Sequence, residues 1–291
     1  MRVTERSQVA SLLQRIQTNQ TRLQDALTEA SSGTRIQRPS DDPLAAQAIQ
    51  GLEASLARHQ SFLSVQDSLR GELHATEAAL QSGSAVLGDA LELAMQMSSG
   101  AHTSQSFAAA ADAVGLLREG LREAANARHQ DRFLFGGVAD HQPPFDPAGA
   151  FQGSATVREI PIGDQQTLTQ ISGEEVFSPQ GENLFALLDE LQAALTNADQ
   201  SAAGDTIDRI RQGISSLNAS QQEVGHRLNT LDHARAFSEV VVLDGTREID
   251  RLEAADLAEA ASRIQLASTA LQASAQAAQR VNGLKDLLFK L

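Results

Sequence analysis

The segment Ser31-Ser-Gly-Thr-Arg-Ile-Gln-Arg-Pro-Ser-Asp-Asp-Pro43 brings together a glycine flanked by small polar residues, two arginines, two prolines and a carboxylate pair. Three kinds of chemistry fit those types: an anion cradle, an acid/base site, or a corner between helices. Asp41 and Asp42 could exchange a proton as acid and base, but adjacent carboxylates before a proline more often cap a helix. A second candidate is Glu223-Val-Gly-His226, whose spacing places two ligands on one helix face, as in di-iron bundles. Such a site needs a second Glu-x-x-His and two further inward glutamates, and the sequence has no second copy, so both residues read as solvent-facing polar groups. The histidines at 59, 74, 102, 129, 141 and 233 show no close metal-ligand spacing and read as partly exposed surface residues. No Gly-x-Ser-x-Gly elbow, phosphate-cradling Gly-x-x-x-x-Gly-Lys or Gly-x-Gly-x-x-Gly occurs. The reading is therefore of a non-enzyme with no catalytic, cofactor-binding or metal-binding residue.

The elements that position these residues follow from periodicity. The chain has 291 residues, enough for one large or two to three small domains, and it carries no Trp, Tyr or Cys and only ten Phe. Such a core suits thin helical bundles, and the lack of Cys rules out a disulfide framework or thiolate metal site. A net charge of −14 argues against nucleic-acid binding, which needs clustered cations. No apolar run is long enough for a membrane span, and Met1 to Ser7 lack an apolar h-region, so neither membrane insertion nor a Sec signal is expected.

Val9, Leu13, Ile16, Leu23, Leu27 and Ala30 form a coiled-coil-like stripe, with Asn19 or Gln20 at the step that would complete it. It is either a core helix of its own domain or a stripe left open for another chain. Asp42 as N-cap and Pro43 at the first helical position then start a second helix. Leu44 to Met95 continue it toward Ser98-Ser99-Gly100, roughly 85 Å if unbroken. Gly51, Gly71, Gly83 and Gly88 each weaken it by about 1 kcal/mol relative to Ala, or permit close packing of neighbours. Ser104 caps a third helix running to about Phe135, which forms an antiparallel hairpin with the second.

From Gly137 to Gln180 prolines and glycines accompany two period-two segments, Ala155 to Ile162 and Thr167 to Ile171, read as a small β insertion. Helical periodicity resumes at Leu184 to Leu195. It is cleanest at Ile207, Ile210, Ile214, Leu217, Gln221, Val224, Leu228 and Leu231. It weakens near Asp244-Gly245-Thr246, before a last helix with Leu257, Ile264, Leu271 and Ala278 every seven residues, flanked by Ala260, Ala267, Val281 and Leu288. Both end segments are heptad-patterned and too thin to fold alone, so they are expected to pair and then pack against copies of the chain. The fold class is mainly α, an elongated helical bundle or coiled coil with a small β insertion domain. Residues 1–40 and 246–291 are terminal assembly helices, 41–136 and 181–245 the bundle body, and 137–180 an outward β domain. Leu13, Ile16, Leu23, Leu27, Leu257, Ile264, Leu271, Val281 and Leu288 are the expected assembly contacts. Gly33, Pro39, Asp42 and Pro43 form the expected hinge, where Gly33 closes one helix and the prolines restart another.

The Ser31 to Pro43 segment resembles the Ser-Ser-Gly-Lys-Arg-Ile-Asn-Arg-Pro-Ser-Asp-Asp-Pro signature of the flagellar hook-associated protein 3 family, hook-filament junction proteins related to flagellin. Leu91-Glu-Leu-Ala-Met-Gln96, Asp131-Arg-Phe-Leu-Phe-Gly-Gly137, Pro143-Pro-Phe145, Phe151-Gln-Gly153, Ile160-Pro-Ile-Gly163 and Gly173-Glu-Glu-Val-Phe177 are similar to further elements of that family, in order. Flagellins usually carry Ala-Lys-Asp-Asp-Ala at the joint, so the pattern fits the junction protein better than the filament subunit. Leu91 stands where flagellins that engage the innate immune receptor carry Arg, so receptor recognition is not carried over. The resemblance implies an extracellular, structural, axial protein of the bacterial flagellum, exported by the flagellar type III system without a cleaved signal. It implies assembly as a ring of copies between hook-associated protein 1 and flagellin, with an export chaperone on the C-terminal helix before secretion. A flagellin-type filament subunit is the near alternative, and a cytosolic helical signalling or metal-carboxylate bundle protein the distant one.

Overall fold

The computed structural model describes the backbone of residues 2–288 and the side chains of residues 10–277 and 279. In chain order the described residues form α1 (Arg2–Ser32), α2 (Pro43–Ser98), α3 (Ser104–Ala125), β1 (Arg128–His129), β2 (Arg132–Phe133), β3 (Glu159–Pro161), β4 (Thr167–Thr169), α4 (Gly173–Phe177), a 3-10 turn (Pro179–Gly181), α5 (Leu184–Thr196), α6 (Gln200–Glu253) and α7 (Leu257–Leu288). The fold is mainly α, with two small antiparallel two-stranded sheets. The chain divides into two compact units, residues 58–241 and residues 1–57 with 242–291.

Heptad spacing governs the first of these. Along α6, Ala203, Ile210, Leu217, Val224, Leu231 and Ser238 stand seven apart and all are buried, while 207, 214, 221 and 228 between them are half-buried. Along α2, Leu73, Leu80, Leu87 and Ala94 repeat in the same way, with Leu69, Thr76, Gly83, Ala90 and Met97 interleaved. Alternating steps of three and four are the seam of a coiled coil. Gly83 sits in that seam, where a Cβ would lie 3.5 Å from Leu121 and Leu217, and Gly71 faces the His129 ring at 3.1 Å. Close packing thus accounts for two of the four α2 glycines; Gly51 and Gly88 face open space. Leu184, Leu187, Leu188, Leu191 and Leu195 of α5 are fully buried, each worth about 1.5–3 kcal/mol of apolar burial.

The structure corrects the third helix at both ends. Its cap is Thr103, whose hydroxyl accepts from the Ser106 amide at 3.2 Å, one residue before the expected Ser104. It stops at Ala125 rather than near Phe135, because the Asn126 side-chain amide both donates to the Phe145 carbonyl and accepts from the Phe145 amide, each at 2.9 Å. The chain then turns back as the β1–β2 hairpin, pairing Arg128 with Phe133. The second hairpin is shorter than expected: only Glu159–Pro161 and Thr167–Thr169 pair, with Ile160 opposite Leu168. Residues 137–180 do not form a separate core. Phe145, Ile162, Val176 and Phe177 join the cluster that holds the buried leucines of α2, α3, α5 and α6, and Phe177 and Phe145 lie 5.2–5.3 Å from Phe135 and Phe185 respectively or from each other.

In the unit of residues 1–57 and 242–291, α1 and α7 pack along each other in opposite directions, as the Glu29–Arg263 and Asn19–Ser274 contacts require. Helix α6 does not break at Asp244-Gly245-Thr246 but continues to Glu253. Gly245 has a packing reason to be there: a Cβ would meet Leu56 of α2 at 3.0 Å. The break falls at Ala254–Asp256, and the Asp256 carboxylate caps α7 by accepting from the Ala258 and Glu259 amides at 2.9 and 3.1 Å.

Candidate assembly surface and joint

Both carboxylates of the Ser31 to Pro43 segment are committed to its backbone. Asp41 Oδ2 accepts from the Gln37 and Arg38 amides at 3.2 and 2.9 Å. Pro39 occupies the second position of the turn closed by the Asp41 amide on the Arg38 carbonyl at 2.9 Å, where its fixed φ is favoured. Asp42 Oδ1 accepts from the Ala45 amide at 3.1 Å and caps α2, with Pro43 as the first helical residue. The other oxygen takes Arg35 Nη1 and Nη2 at 3.2 Å. The Ala45 amide, then the Arg35 guanidinium, hold the Asp42 carboxyl below the usual aspartate range. A capped, ion-paired carboxylate is a helix start and not a general base.

Gly33 ends α1 at φ 72°, its amide on the Glu29 carbonyl at 3.0 Å. The chain then runs beside the α6–α7 break. Thr34 and Ala254 form an antiparallel bridge, the Arg35 amide donates to the Glu253 carbonyl at 2.7 Å, and the Ala255 amide donates to the Gly33 carbonyl at 2.9 Å. Arg35, which lies outside the expected hinge set, ties the joint to α6 through its contact with the Leu252 carbonyl.

The expected assembly residues separate into two sets. Ile16, Leu23, Ile264 and Leu271 are half-buried in the α1–α7 seam, around the buried Ala26, Ala260 and Ala267. Leu13, Leu27 and Leu257 point outward, 56%, 49% and 59% exposed, and are joined by Leu266 at 69%, which lies off the seven-residue stripe. The side chains of Val281 and Leu288 lie outside the described residues. Asn19, at the polar step of the stripe, donates to Ser274 Oγ at 3.2 Å within the seam. Arg263 lies between Glu259 and Glu29, which raise its pKa, Glu259 most.

The other chemical candidates are placed elsewhere. Glu223 is ion-paired with Arg227 at 2.9 Å, and among the described residues no three His, Asp or Glu side chains gather as a metal site. His59 is not a surface residue. It is 4% exposed, edge-on to Phe62 and Phe237, with Nδ1 3.3 Å from Ser238 Oγ, because it occupies a heptad position of α2. No helix among the described residues is long and apolar enough to cross a membrane.

Residues 4–140 match the bacterial flagellin N-terminal helical region. The chain is 27% identical to flagellar hook-associated protein 3 of Escherichia coli (strain K12), over 90% of each sequence. Among solved structures, Bacillus cereus FlgL is similar with a TM-score of 0.57 at 22% identity, covering 70% of this chain and 97% of that one. The flagellar junction protein FlgL from Legionella pneumophila is similar with a TM-score of 0.60 at 12% identity, covering 71% and 100%. The fold is flagellin-like, and the resemblance carried by the Ser31 to Pro43 signature extends along nearly the whole chain.

Proposed function

We propose, from this kinship with flagellar hook-associated protein 3, that the chain is a non-enzymatic structural component of the bacterial flagellum that joins hook to filament. Copies pack through the paired helices α1 and α7 into a ring, with hook-associated protein 1 on one side and flagellin on the other. The protein reaches this extracellular position through the flagellar type III channel, with a chaperone covering α7 before export. Residues 1–40 and 246–291 serve as assembly helices, and residues 137–180 as the outward part.

The observation that carries the reading is the set of leucines left outside the α1–α7 seam. Leu13, Leu27, Leu257 and Leu266 expose about half or more of their surface, and covering each with a neighbouring copy contributes about 1–2 kcal/mol. Leu27→Gln combined with Leu266→Gln should leave thermal unfolding of the purified protein unchanged while cells secrete flagellin that does not attach. Normal filaments on that strain would sink the assignment. The match to a flagellin N-terminal region keeps a filament-subunit reading in view. Deletion separates the two: a junction protein leaves hooks and unattached secreted flagellin, whereas a filament subunit leaves no flagellin.

A further inference from the structure

We propose that the α1–α2 and α6–α7 breaks form one laced joint, clasped by Arg35, through which α1 and α7 move against the ends of α2 and α6 only as a single body. Two chain segments cross here side by side. They are tied by the Thr34–Ala254 bridge, by the Arg35 amide on the Glu253 carbonyl at 2.7 Å, and by the Ala255 amide on the Gly33 carbonyl at 2.9 Å. The Arg35 side chain adds a second tie: its guanidinium holds Asp42, the cap of α2, at 3.2 Å and reaches the Leu252 carbonyl in the last turn of α6 at 3.4 Å.

A single crossing segment would let its helix swivel about the free φ and ψ angles between Gly33 and Asp42. Two crossing segments tied to each other block the twist and leave bending about the line through both. Gly33 and Arg35 are exposed, so water competes for these ties and the joint stays able to flex. This inference stands on the joint alone and holds whether or not the chain is a flagellar junction protein.

The chain has no Cys, so spin labels attach only at introduced cysteines in the full-length protein. One label pair, Gln24→Cys with Glu53→Cys, spans the joint; the other, Gln24→Cys with Gln272→Cys, lies within the α1–α7 pair. Arg35→Ala removes the clasp and leaves every backbone bond in place, so folding is not at stake. Ala255→Pro removes one lacing donor from the opposite segment. Each should broaden the 24–53 distance distribution about two-fold or more and leave the 24–272 distribution unchanged. An unchanged 24–53 width, broadening in one variant only, or equal broadening of both pairs would overturn the proposal.

Discussion

Gly149 and Gly181 have the same left-handed backbone and opposite surroundings, so alanine at each isolates what packing adds. Gly149 is at φ 81° and Gly181 at φ 86°, both within residues 58–241. A Cβ at Gly181 meets nothing within 4 Å, whereas one at Gly149 would press on Phe185 Cβ and come within 2.7 Å of its Cγ. Phe185 cannot step aside. It is fully buried beside Phe145 and Phe177, and its helix is capped by Asn183, whose amide donates to the Gly149 carbonyl at 2.9 Å. Left-handed backbone costs an alanine about 1–2 kcal/mol at either site. Overpacking against a Cβ and ring base adds about 1–3 kcal/mol at Gly149 alone. Gly181→Ala should therefore destabilise by about 1–2 kcal/mol and Gly149→Ala by about 2–5 kcal/mol. Urea unfolding must be followed by far-UV circular dichroism, since there is no Trp or Tyr to report by fluorescence. Equal m-values with midpoints that place the two variants within about 0.5 kcal/mol of each other would refute the argument.

Asn19 spends a seam position on a hydrogen bond to Ser274, so Asn19→Leu should strengthen α1–α7 pairing by about 0.5–1 kcal/mol while loosening its register; amide exchange along α1 measures the first, and unchanged protection would contradict it. The joint should also weaken in acid. The Asp42 carboxyl lies below its ordinary 3.8 in the folded state, so its contribution is present above that value and is lost as pH falls through the lower folded pKa. Protection of the Ala45 amide, its capping partner, should fall there, and Asp42→Asn should keep the cap while removing the pH dependence; a pH-dependent Asn variant would point to another group.

The long helices were legible because their determinant is local and repeated. A residue every seventh place in α6 from Ala203 to Ser238 is buried, and periodicity reads that pattern directly. The end of α3 was not legible, because the amide of Asn126 that stops it bonds to Phe145, nineteen residues on, and the turn that follows needs Gln130 at φ 54°. The α6–α7 break has no Gly or Pro, yet Asp256-Leu-Ala-Glu259 has the spacing of a capping box and marks the start of α7. Gly245, a residue that looks like a breaker, instead admits Leu56. In the joint, Gly33, Pro39, Asp42 and Pro43 announce where helices stop and start. Arg35 does not announce itself, because the Leu252 carbonyl it reaches is 217 residues away.

The α1–α7 pair shows why heptad spacing alone does not say which leucines meet which partner. The seam is centred on Ala26, Ala260 and Ala267, whose small side chains let two helices approach closely but remove little apolar surface from water. A two-helix pair built on such a seam is marginal by itself. The larger side chains stand on its flanks, with Ile16, Leu23, Ile264 and Leu271 half-covered and Leu13, Leu27, Leu257 and Leu266 outside. These flanks leave much of the pair's apolar surface exposed, and under the function proposed above a neighbouring copy covers it. Residues 58–241, by contrast, hold a core of fully buried Leu, Ile and Phe of their own.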